Sequence, residues 1–269
     1  MKYSLLIIIL FFAQIRMVYA IKPIRPVKNI VMIDYLPLLD SLRATYGNHK
    51  YIAKEFELQT LIALSYFPEL KNKVIDFKYQ NIGTTMACRP DLISVLKGKS
   101  SRFYNILIDN DPNDTGNIIL KDVPFNAQVG VIAHELCHIL DYELMSVHEL
   151  AKMGVEYANK KNRSDVEKRV DKLTIKRGLG WQLWDWSDFV LNRSKATIEY
   201  KFYKKKTYLS PEEIKNEMQK DSQYKFAVID RPFWQNDILI EVYGVLIGVG
   251  VSFILLPDFR KTVFSIWKS

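Results

Sequence analysis

The stretch GVIAHELCHILDY, Gly130 to Tyr142, constrains this chain more than any other. Its two histidines, His134 and His138, are four residues apart in an otherwise apolar run. Four residues make about one helical turn, so on a helix both imidazoles leave the same face. Val131, Ile132 and Ala133 precede the pair, and Ile139 and Leu140 follow the second histidine. A helix this apolar belongs inside a fold, where a pair of histidines is costly unless something satisfies it. The helix is expected from Ala127 to about Met145, with Pro124 ending the preceding segment and Asn126 as the N-cap.

Glu135, beside the first histidine, turns this pair into a reaction centre on paper. Two imidazoles on one face can share a metal ion, and a neighbouring carboxylate can take a proton from water. This is the HExxH arrangement of zinc metallopeptidases, with Zn2+ as the expected ion and Glu135 as the catalytic base. A third protein ligand is needed, leaving one coordination position open. His148 lies too far along, without the intervening glycine of the metzincin pattern, and reads as an ordinary surface or core histidine. Glu167 and Asp171 fit better: they stand one turn apart in SDVEKRVDKLTIKRGLG. Glu167 can bind the ion while Asp171 accepts a hydrogen bond from the far nitrogen of a ligand histidine, setting its tautomer. A plainer reading competes, because Ser164 and Glu167 also spell a capping box. Cys137 projects from a different face than the histidines and reads as packing rather than as a ligand.

The remaining pattern is α+β. Residues Lys73–Gln80 alternate polar and apolar as a half-buried strand does, and Arg102–Asp109 reads as a second. NIILKDV, Asn117–Val123, reads as a third short strand after the turn-rich NDPNDTGN. Met86–Ser94 reads as a loop and short helix around Pro90, and Ile21–Pro37 as an extended lead-in segment. Helices are expected from Tyr51 up to Pro68, over Val147–Ala158, from Ser164 to a stop at Gly178, through the tryptophan-rich 181–191, and from a Ser210 cap with Pro211 at its first position. Trp181, Trp184 and Trp186 suit a core helix better than a cleft wall. A small sheet therefore precedes a helical half, in one domain spanning residues 21–236.

Both ends of the chain carry further signals. Residues 1–20 combine Lys2, an apolar run from Leu5 to Ala13 and Val18-Tyr19-Ala20, the pattern of a secretory signal peptide. Residues 238–256 are apolar, near the roughly 20 residues that a membrane span needs, carry Gly244 and Gly248 in a GxxxG, and precede basic Arg260 and Lys261. The expectation is export, with a C-terminal transmembrane anchor over 237–269 and the catalytic domain periplasmic or extracellular; a buried C-terminal element is the competing reading. The formal charge of +8 does not imply nucleic acid. In the longest basic run acids interleave with the lysines, as on a solvated helix face, while KFYKKKTY suits a membrane surface. A disulfide between Cys88 and Cys137 is not expected.

HELCH followed by ExxxD resembles the gluzincin clan of metallopeptidases, to which thermolysin and the CAAX-prenyl-protease-like membrane peptidases belong. The resemblance covers roughly Phe103 to Gly180. It implies a zincin-like fold, a small mixed sheet packed on an active-site helix, with NIILKDV as the edge strand that binds an extended peptide. It also implies His134, His138 and Glu167 as zinc ligands, Glu135 as catalytic, Asp171 behind a ligand histidine, and a peptide or protein as substrate. The polytopic helices of the CAAX-type enzymes are missing, so prenyl substrates are not implied. For the donor that steadies the oxyanion, Tyr142, His148, Arg177 and Tyr200 qualify by type. Two other functions compete: a zincin-like metal-binding scaffold without turnover, and a membrane interaction protein whose histidine helix is structural.

Overall fold

A computed structural model describes residues 26–111, 118–157 and 159–225. The expected signal peptide, residues 1–20, and the expected C-terminal anchor, residues 237–269, lie outside them. Among the described residues no helix is long and apolar enough to cross a membrane.

A mixed four-stranded sheet forms the first half. Its strands are β1 (Lys50–Tyr51), β2 (Val74–Tyr79), β3 (Met86–Pro90) and β4 (Phe103–Ile108), in the order β1-β2-β4-β3. β1, β2 and β4 run parallel, and β3 lies antiparallel on β4 with Cys88 opposite Ile106. Three helices accompany the sheet: α1 (Met32–Tyr35), α2 (Leu39–Tyr46) and α3 (Glu57–Ser65), and the five-residue α4 (Leu92–Leu96) joins β3 to β4. The helical half comprises α5 (Phe125–Leu144), α6 (Val147–Tyr157), α7 (Lys160–Thr174), α8 (Gly180–Asp188), α9 (Ile198–Thr207) and α10 (Pro211–Lys220).

α5 is the axis of the molecule. Every residue from Ala127 to Ile139 is buried, as expected of a helix apolar all round. It packs against β3, α3, α7 and α8. The contact with α8 is close enough to need Gly130, where an added Cβ would lie 2.2 Å from the Gln182 carbonyl oxygen. At the C-terminal end, buried Arg102 donates to the carbonyls of Tyr142 at 2.6 Å and Met145 at 2.8 Å. This places a cation on the negative end of the helix and ties it to the start of β4.

Five local expectations are corrected. The described part of NIILKDV is no strand; Leu120–Asp122 forms a 3₁₀ turn. Its carbonyls at Leu120 and Val123 accept from the Gln128 side chain at 2.9 and 3.0 Å, which removes them from any ladder. The edge strand beside α5 is instead β3, read from sequence as a loop. Pro90 sits at its end, and an edge strand tolerates a missing N–H. Asn126 does not cap α5, because Pro124 occupies that position; its side chain accepts from the Ile30 and Gln182 donors and donates to Asp185. The stretch before Pro37 is partly helical, and Tyr51 lies in β1, ahead of α3.

Candidate metal centre and its cleft

α7 decides which residues meet α5. The helix begins at Lys160, capped by Asn159, whose side chain accepts from the Lys161 N–H. Ser164 is thus inside the helix, and its hydroxyl donates to the Lys206 and Thr207 carbonyls. The capping-box reading falls away, and Glu167 is free to turn inward. Glu167 and Asp171, one turn apart, are both 1% exposed and face the histidines.

His134, His138 and Glu167 each offer one ligand atom, and these atoms lie within 4.8 Å of one another. Glu167 Oε2 is 2.9 Å from His134 Nε2 and 3.4 Å from His138 Nε2. Two ligands on a tetrahedral zinc, with bonds of about 2.0–2.1 Å, stand about 3.3–3.4 Å apart, and both distances from Glu167 lie within about half an ångström of that spacing. Two imidazole nitrogens and a carboxylate oxygen also suit zinc chemically. Behind the donors, His134 Nδ1 meets Asp171 Oδ1 at 2.9 Å. Asp171 Oδ2 in turn accepts from the Leu209 N–H at 2.8 Å. With Nδ1–H directed at Asp171, Nε2 is the nitrogen left for a cation. His138 is held differently: its ring stacks on Tyr142 at 5.9 Å, and its Nδ1 has no hydrogen-bond partner among the described residues.

Charge in the metal-free protein follows from this packing. Burial disfavours a charged His134, but hydrogen bonds to the Asp171 and Glu167 carboxylates outweigh it and raise the imidazole to about 10. Burial opposes ionisation of Glu167 too, yet the neighbouring His138 and His134 hold its carboxyl well below the usual range. Glu135 is also buried, and loss of water raises its carboxyl above the ordinary value, the direction that makes a better base.

Glu135, His138 and Glu167 open onto a cleft of about 660 Å³, a size typical of ligand sites. β3, from Met86 to Pro90, lines one side, and residues of α6, α7 and α9 line the other. Three tyrosines that sequence reasoning missed line it as well. Tyr157 donates to Glu167 Oε1. Tyr208 packs on the His134 ring at 5.5 Å, and its hydroxyl makes no hydrogen bond among the described residues. Tyr203 packs on Tyr208. Burial raises the Tyr208 phenol far above its ordinary value, so it keeps its proton and remains a donor. Lys204 stacks on the Tyr208 ring at 4.3 Å.

Of the four residues that qualified as oxyanion donors by type, only Tyr142 lines this cleft, and its hydroxyl points at the Cys88 carbonyl. His148 is exposed, Arg177 pairs with Glu69, and Tyr200 bonds Thr85. None of the three tryptophans lines the cleft, and Trp186 belongs to the core. Cys137 is buried and accepts from Thr174, and Cys88 is likewise a free, buried thiol. No signal in the sequence singles out Tyr157 or Tyr208 among the 15 tyrosines, because their approach depends on how α6 and α9 pack.

No protein-family model matches this chain, and no curated protein or solved structure is detectably similar to it.

Proposed function

We propose that the protein is a zinc-dependent metallopeptidase of zincin-like architecture, with His134, His138 and Glu167 as ligands. The observation that carries this reading is the convergence of those three donors beside buried Glu135, at the floor of an open cleft. When bound, the zinc ion supplies Lewis acidity and a water acidified toward neutral pH. Glu135 takes the proton of the attacking water and passes it to the leaving amine. Asp171 holds His134 in the tautomer that leaves Nε2 available, and Tyr157 fixes the outer oxygen of Glu167. Tyr208, with an uncommitted hydroxyl, donates to the oxyanion that forms on the peptide carbonyl. β3 offers its unpaired edge to an extended substrate. Export and a C-terminal membrane anchor belong to the same proposal and rest on the patterns of residues 1–20 and 237–269.

Elemental analysis and a casein assay test the reading together. The purified protein is expected to contain zinc and to hydrolyse unfolded casein. Glu135→Gln should keep the zinc and lose about 10²–10⁴-fold in rate. Zinc retained with no hydrolysis would identify a metal-binding scaffold instead. A protein without zinc, whose melting is indifferent to chelation, would sink the proposal.

A further inference from the structure

The walls of the cleft carry more positive charge than a general peptide site needs. Among the described residues its only carboxylates, Glu135 and Glu167, lie at the floor with the histidines. Its two guanidiniums, Arg89 and Arg163, stand on opposite walls, on β3 and α7. Arg89 is exposed. Arg163 is held: its Nε donates to the Tyr157 carbonyl at 3.1 Å, its guanidinium carbon lies 5.0 Å from the Tyr157 ring centroid, and the Tyr203 phenol lies close enough to favour its charge. Among the described residues, the charge of Arg163 is set chiefly by the phenols of Tyr203, Tyr157 and Tyr208.

This is an unusual use of arginine. A guanidinium has five N–H donors in a planar fork matched to a carboxylate, and the contacts to Tyr157 and Tyr203 leave part of that fork unused. Its orientation is set beforehand by a backbone carbonyl and an aromatic face, so little entropy remains to be lost on binding. Arg163 also precedes Glu167 by four residues on the same helix, which sets the two side chains about one turn, roughly 5.4 Å, apart along one face. A carboxylate received by Arg163 would therefore lie within about one peptide residue of the reacting carbonyl.

We propose that Arg163 anchors a carboxylate of the substrate, so that the cleft selects peptides bearing one next to the scissile bond. The carboxylate is either the free C-terminus of a peptide or an Asp or Glu side chain. The inference rests on the hydrolytic reading above for its substrate, although binding at Arg163 does not require turnover.

Matched peptides test it on the full-length, zinc-loaded protein. One set ends in a free carboxylate or in an amide; the other is amidated throughout and carries Glu or Gln on either side of the cleaved bond. The carboxylate-bearing member of a pair should be favoured about 10–100-fold in kcat/KM, mainly through KM. The first set reports a C-terminal anchor and the second a side-chain anchor. Arg163→Gln should bring the ratio to within about threefold, and Arg163→Lys, which keeps charge but loses the fork, should leave it between. If Arg163→Gln melts early, the lysine variant still reads the ratio, and an unchanged ratio there overturns the anchor. Fluorescence anisotropy of the same peptides on Glu135→Gln, with and without Arg163→Gln, supplies a readout free of catalysis. Hydrolysis that is blind to carboxylates in both sets would overturn the anchor and leave the peptidase standing. Arg163-dependent binding of carboxylate peptides without any hydrolysis would do the reverse.

Discussion

The two histidines of α5 are held by different means. His134 is fixed by a relay of Asp171 and the Leu209 N–H, with Tyr208 against its ring. His138 is fixed by packing: Tyr142 stacks on it, and Leu150 and Met153 of α6 and Cys88 of β3 line the cleft that it faces. One histidine is directed through hydrogen bonds, and the other is positioned through shape. A ligand whose tautomer is locked binds metal with little reorganisation. A ligand held by stacking keeps some freedom to turn, which suits the donor that must adjust when a cation enters.

The largest effect expected from disturbing the helix that carries both histidines comes where α5 packs most tightly. Gly130→Ala would force a methyl against the Gln182 carbonyl and drive α5 from α8. A loss of about 3 kcal/mol or more is expected in urea denaturation; an unchanged midpoint would show that this contact yields easily. Next, Asp171→Ala should lower zinc affinity about 10–100-fold in competition with a chelator. An unchanged affinity would mean that His134 needs no more help than His138.

A pH effect of smaller size follows from His134. Its imidazole in the metal-free protein is raised to about 10, above an unfolded value near 6.5. Its contribution to metal-free stability is therefore fully present below about 6.5 and fades as pH rises through about 10. Zinc must displace that proton, so affinity should rise with pH about tenfold per unit in this range. Calorimetry in buffers of different ionisation enthalpy should detect close to one proton released at pH 7; none released would show a neutral His134. The smallest change is expected from Tyr142→Phe. It removes a long 3.4 Å hydrogen bond but keeps the stacked ring, and should cost about 0.5–1 kcal/mol in stability. A tenfold fall in zinc affinity would show that His138 too depends on hydrogen bonds.

Local patterns in the sequence announce several of these elements. The alternation in Lys73–Gln80 and Arg102–Asp109 marks β2 and β4, and Ser210, Pro211 and Glu213 mark the start of α10, where the capping box is present. Gly178 adopts a positive φ of 87°, the conformation that a helix-ending glycine supplies. β3 escaped notice because Pro90 and a short alternation look like a loop until β4 is there to pair with it. Leu120–Asp122 looked like a strand because nothing local shows that Gln128 captures its carbonyls.

The sequence by itself determined the buried helix and the spacing of His134, Glu135 and His138, since a helical period is set by the backbone over a few residues. It also narrowed the third donor to Glu167 and Asp171. Only the tertiary structure decided which way they face. The start of α7 at Lys160, with Ser164 bonded to the end of α9, turns both carboxylates toward α5. The same packing brings Tyr157, Arg163, Tyr203 and Tyr208 to one cleft. Their partners lie on different helices, and no short-range rule specifies how helices meet across such separations. Burial and close packing settle that geometry for the whole domain at once.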